Sequence, residues 1–168
     1  MNSTVQKLTR AAVTAALYTA ICFFLKPLSY GMIQLRISEV LCILPIFFPE
    51  ATWGLFIGCI LSNLLGGAGV VLIDMVLGSL TTLVAAHLTK HIYSKTQNLA
   101  LALFPPVILN ALIVGSYVPL IYSQPGTVAS LPLILTSILS VGIGQSIVIY
   151  ALGYPFAKAL KKTNIFKK

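Results

Sequence analysis

Only three carboxylates occur in this 168-residue chain, Glu39, Glu50 and Asp74, and each stands in or beside an apolar run. A carboxylate inside a membrane-spanning segment costs about 2.5–3.5 kcal/mol on insertion scales, so it faces a cavity or a partner. Arg36 lies three residues before Glu39, one helical turn away, and is placed to neutralise it. Ligand contact by Glu39 is compatible with that pairing. Glu50 suits a negative charge at a helix N-terminus, where the macrodipole favours it. Asp74 also falls near a helix start and is open to either role. Gln34, Ser38, Trp53, Asn63, Asn110, Tyr117 and Gln145 are further polar groups in apolar surroundings. Asn63 and Asn110 also fit interhelical hydrogen bonds worth about 0.6–2 kcal/mol. Together the amides, an Arg–Glu pair, a tyrosine and a tryptophan suit a flat, hydrogen-bonding heterocycle better than an ion or a sugar. Pockets for such ligands combine apolar or aromatic walls with a few placed polar groups.

Other chemistries lack their residues. No G-x-x-x-x-G-K-[ST] loop occurs, so ATP is not bound by that route. A single aspartate excludes an aspartyl dyad from one chain, and no Ser-His-acid or His-carboxylate-metal pattern is present. Cys22, Cys42 and Cys59 all lie in apolar runs and read as buried thiols, small hydrophobes in effect. With only His87 and His91 besides, no cluster has metal-ligand spacing. The chain is expected not to be an enzyme and to hold no metal or cofactor of its own.

The elements that must position these groups follow from composition. Hydrophobic residues make up 58% of the chain and charged ones 8%, with a mean hydropathy of +0.97. Soluble domains carry about 25% charged residues, so lipid must be part of the solvent here. No signal peptide is expected, because the apolar run after the polar start continues into a spanning segment without a cleavage site. The spacing of prolines, glycines and polar clusters predicts an all-α, six-helix transmembrane bundle forming one domain over residues 1–168. Its helices are placed at about 8–25, 33–48, 51–65, 70–88, 99–120 and 131–160. The second and third are short for a hydrocarbon core of about 30 Å, a feature tolerated where helices line a cavity. Tyr122 to Gly126 reads as an outer turn.

Charge then sets orientation. Of eleven Lys/Arg, nine fall at the two termini or between the fourth and fifth helices: Lys7, Arg10, Lys90, Lys95, Lys158, Lys161, Lys162, Lys167 and Lys168. Six crossings with both termini cytoplasmic satisfy the positive-inside rule, leaving only Lys26 and Arg36 outside. The net charge of +8 therefore orients the protein in a cell membrane and implies no nucleic acid. On the first helix Ala12, Ala16 and Ala20 recur at every fourth position, beside Ala11 and Ala15. This small-xxx-small stripe suits close approach of another helix, such as a partner's.

The run Gln34-Leu35-Arg36-Ile37-Ser38-Glu39, followed by Leu44-Pro45, resembles the outer loop and second helix of the QueT family. Gly54-Leu55-Phe56-Ile57-Gly58-Cys59, Asn63-Leu64-Leu65-Gly66-Gly67, and Asp74 with Leu77-Gly78-Ser79-Leu80 continue the resemblance. Pro106-Val107-Ile108-Leu109-Asn110-Ala111 and Leu152-Gly153-Tyr154-Pro155 carry it over nearly the whole chain. The resemblance implies a substrate-binding S component of an energy-coupling factor transporter, taking up a queuosine precursor such as preQ0, preQ1 or queuine. It implies an outward pocket lidded by the loop between the first two helices. It also implies a membrane scaffold subunit and two ATPase subunits as partners, with ATP and magnesium bound there. Arg36, Glu39, Asn63, Asp74 and Asn110 occupy the family's recurring polar positions, and Ala12, Ala16 and Ala20 fill its scaffold-contacting stripe. A deazaguanine edge offers an N–H and an amino group that Glu39 or Asp74 can accept in pairs, with Trp53 or Tyr117 stacked on the ring.

Three other readings share the composition. One is a self-sufficient homo-oligomeric transporter or channel for another small heterocycle. Another is an intramembrane enzyme, which lacks a visible nucleophile–base set. The last is a structural subunit whose polar residues only pack.

Overall fold

A chain surrounded by lipid must satisfy its backbone N–H and C=O groups within each segment, which helices do. The computed structural model describes residues 3–29, 35–66, 71–122 and 130–163, and among them no strand occurs. Helix α1 covers Ser3–Phe24 and is followed by the short α2, Lys26–Ser29. A 3-10 helix, Ile37–Ile46, and α3, Ala51–Gly66, come next. Three long helical stretches complete the fold, over residues 71–96, 99–122 and 131–162. Among the described residues three helices are long and apolar enough to cross a membrane: Ser3–Phe24, Leu99–Leu120 and Leu131–Lys162.

The second expected helix, 33–48, is the shorter 3-10 helix instead. Its ten residues rise about 2.0 Å each, extending about 20 Å where an α-helix would reach about 15 Å. Pro45 sits inside it and lacks the N–H that a continuing α-helical ladder would need. Gln34 and most of the loop preceding it lie outside the described residues, as does all but the first residue of the Tyr122–Gly126 turn. The polar stretch expected after Leu88 is helical through Thr96, because the fourth helix continues past its apolar part. It stops where Gln97 takes the left-handed conformation (φ 53°). Asn98 then caps the next helix, its side-chain oxygen accepting from the Leu101 N–H at 3.2 Å.

Glycines fix how closely the helices pack. Gly54 and Gly58 of α3 meet α1, and an added Cβ would lie 2.8 Å from Thr14 Cβ and 2.8 Å from Tyr18 Cβ respectively. Their four-residue spacing lets the backbones approach, as small-xxx-small pairs do. The α1 residues met there are Ala11, Thr14, Ala15 and Tyr18. Ala12 and Ala16 are exposed, and Ala20 is half-buried. Large apolar side chains such as Leu8, Phe24, Leu72, Leu139 and Ile143 are also exposed, more than a water-facing surface normally tolerates.

Each long stretch after α3 is interrupted by a π-helical segment: Asp74–Gly78, Asn110–Val114 and Ile147–Gly153. Such segments add a residue to a turn and are frequent at functional sites. Nearby hydroxyls donate to carbonyls here: Ser79 to Val76 at 3.2 Å, Thr82 to Gly78 at 3.1 Å and Ser146 to Gly142 at 2.7 Å.

Candidate functional site

Arg36 immediately precedes the 3-10 helix, and its guanidinium is buried. Nη2 donates to Asp74 Oδ2 at 2.7 Å, a buried ion pair, and also to the Asn63 side-chain oxygen. Asn63, in the last turn of α3, donates from Nδ2 to the backbone oxygen of Asp74 at 2.8 Å. The Tyr117 hydroxyl donates to Asp74 Oδ1 at 2.5 Å. Three segments distant in sequence thus converge on Asp74, two of them on its carboxylate and Asn63 on its backbone oxygen, and Asp74 heads the first π segment. Gly78 leaves room beside it. An added Cβ there would stand 2.7 Å from Asp74 Oδ1 and 3.1 Å from the Tyr117 oxygen.

Glu39 is fully buried and differently held. Its carboxylate accepts from the Tyr18 hydroxyl, from Cys42 Sγ at 3.0 Å and from Thr82 Oγ1 at 3.4 Å. The expected Arg36–Glu39 neutralisation is replaced by the Arg36–Asp74 pair, because the fourth helix brings a second carboxylate to the guanidinium. Cys59 links the two groups, with Arg36 Nη1 at 3.8 Å, Asn63 Nδ2 at 3.7 Å and Thr82 Oγ1 at 3.7 Å. Cys22 and Ser38 contact each other at 2.9 Å. All three cysteines are free and buried.

Of the residues singled out from sequence, Arg36, Glu39, Asn63, Asp74 and Tyr117 share this polar core. Asn110 is buried and donates to its own helix at Pro106 O, 2.9 Å away. Its π segment packs against the one headed by Asp74. Gln145 is buried two residues before the third π segment, and its side-chain oxygen has no hydrogen-bond partner among the described residues. Trp53 is not brought to the core. It lies in the first turn of α3, 60% exposed, and lines a cavity with Lys7 and Arg10 of α1. Glu50, just before α3, pairs with Arg10 at 3.2 Å. Tyr18, Cys59 and Thr82 escaped sequence reasoning because single hydroxyls and thiols are common in apolar helices. The available signal was Tyr18 on the small-residue face of α1, where a buried phenol requires a partner.

A helical chain with an apolar exterior and a buried, charged core has the makings of a membrane protein. The family model described as QueT transporter matches residues 8–162, and the chain belongs to that family. It is therefore a membrane protein of a transport family. It is 39% identical over 75 residues to the queuosine precursor transporter QueT of Lactococcus lactis subsp. cremoris (strain MG1363). The matched stretch covers 44% of this chain and 43% of that relative, so less than half of the relative's length is spanned. No solved structure matches the chain.

Proposed function

We propose that this protein is the substrate-capturing S component of an energy-coupling factor importer for a queuosine precursor of the deazaguanine type. The observation that carries this reading is the convergence of Arg36, Asn63 and Tyr117 on Asp74, at the head of a π-helical segment. A carboxylate offers about four acceptor positions. Arg36, Tyr117 and the ligand's paired N–H groups can share those of Asp74, while Asn63 or Arg36 answers the ligand's carbonyl. Tyr117, at the core, takes the stacking role rather than Trp53. Glu39, enclosed by Tyr18, Cys42 and Thr82, holds the helices that carry the site.

In this reading the chain crosses the membrane six times, with both termini cytoplasmic and the Asp74 core toward the outside. Nine of eleven Lys/Arg then lie inside, in accord with the positive-inside rule. The exposed Ala12 and Ala16, with Ala20, offer α1 to a membrane scaffold subunit. The chain is not itself an enzyme. Two partner ATPase subunits, with ATP and magnesium, supply the energy.

Thermal unfolding of the purified protein in detergent tests the reading against preQ0, preQ1, queuine, guanine and riboflavin. A ligand at about 100 times its dissociation constant adds about 2.7 kcal/mol to the folded state. Stabilisation by a deazaguanine is the expected result. Stabilisation by riboflavin alone would overturn the substrate class, and no shift with any of them would remove the capture role.

A further inference from the structure

The end of the molecule away from the Asp74 core carries a cavity of about 1010 Å³. It lies between the start of α1, the turn before α3 and the second half of the 71–96 helix. Lys7, Arg10, Lys90 and Glu50 line it together with apolar groups that include Trp53 and Val84. Its charge is unbalanced. The chain has three side-chain carboxylates, and each has its partners within the chain: Asp74 with Arg36, Glu39 with Tyr18, Cys42 and Thr82, and Glu50 with Arg10. Lys7 and Lys90 therefore make no ion pair with a described residue, and the cavity lining is net positive.

The walls indicate what brings that charge. From Trp53, exposed apolar side chains continue along α3 through Ile57 and Leu61. From Val84 they continue along the next helix through Leu80 and Leu77. Both rows leave the cavity in the same direction, toward the end that holds the Asp74 core. A site lined by two cations without an ion pair, with two exposed apolar rows leading from it, matches an amphipathic anion. We propose that this cavity binds the headgroup of an anionic phospholipid, its phosphate between Lys7 and Lys90 and an acyl chain along the two rows. Basic pockets between helices at the cytoplasmic surface select such headgroups, and an exposed tryptophan in the lining suits the interface. The inference rests on the membrane placement and orientation proposed above and is independent of the transported substrate.

Native mass spectrometry of the full chain with phosphatidylglycerol and phosphatidylcholine, each at equal concentration, provides the test. Phosphatidylglycerol is expected to be retained at least about tenfold better, a difference of about 1.4 kcal/mol. The double variant Lys7→Gln/Lys90→Gln should lose that preference, and Lys7→Arg/Lys90→Arg should keep it. Replacing Lys158, Lys161 and Lys162 by Gln should leave it intact. Equal retention of both lipids would overturn the proposal. So would a preference that persists in Lys7→Gln/Lys90→Gln or disappears with the C-terminal lysines. Inorganic phosphate that competes as well as the lipid would make this a simple anion site and would also overturn it. Ligand-dependent melting of the same variants, measured separately, reports on the substrate reading.

Discussion

Asp74 and Glu39 are both buried carboxylates in an apolar helical protein, yet their surroundings differ. Asp74 is held by a guanidinium and a phenol from separate segments, at a π segment with a glycine four residues on. Glu39 is held by three neutral donors, one of them a single turn away on its own helix. A charge-assisted pair at a junction of four segments can be rearranged by a ligand that offers its own donors. Glu39, fully buried among neutral donors, is assigned by the proposed function to holding helices together. The type of residue does not separate the two roles; the neighbours do.

The largest break in this comparison should come from Asp74→Ala. Removing one member of a buried ion pair deprives the Arg36 guanidinium of this carboxylate, at a cost of about 3–5 kcal/mol. Denaturant unfolding in detergent should show it, and a loss below about 1 kcal/mol would mean the pair is not buried as described.

Gly78→Ala should come next. Its methyl group would press on Asp74 Oδ1 and the Tyr117 oxygen at 2.7 and 3.1 Å. Overpacking of this kind costs about 1–3 kcal/mol. Deazaguanine affinity should fall at least about tenfold, equivalent to 1.4 kcal/mol. A calorimetric titration showing unchanged affinity would detach Gly78 from the site.

Tyr18→Phe acts on the other carboxylate. It removes a donor from Glu39 and should cost about 1–3 kcal/mol of stability, while affinity changes by less than about threefold, under 1 kcal/mol. A selective loss of binding without loss of stability would reverse the roles assigned to the two acids. Trp53→Ala should have the smallest effect on capture, within about twofold in affinity, because the exposed indole is away from the core. A tenfold loss there would return Trp53 to the ligand.

Much of this was legible in the chain itself. Charges stranded in apolar runs had to converge, and Arg36, Glu39, Asn63, Asp74 and Tyr117 do. The all-helical class followed from composition for the same reason, since lipid leaves few alternatives. Pairing was less accessible. Arg36 and Glu39 are neighbours in sequence, but the guanidinium reaches Asp74 across helices, and only the packing decides that. The π segments left no mark, because Asp74–Gly78 and Asn110–Val114 differ from ordinary helix in hydrogen bonding and not in residue type. Trp53 was misplaced because a lone tryptophan in an apolar helix suits a ring-stacking wall and a membrane interface equally.

The division of labour between the two acids is tested most directly by isothermal titration of the preferred deazaguanine against Asp74→Asn and Glu39→Gln. Asp74→Asn should weaken binding at least about tenfold, and Glu39→Gln should stay within about threefold, a gap readable against 1.4 kcal/mol per decade. The opposite order, with Glu39→Gln abolishing binding and Asp74→Asn sparing it, would contradict the account.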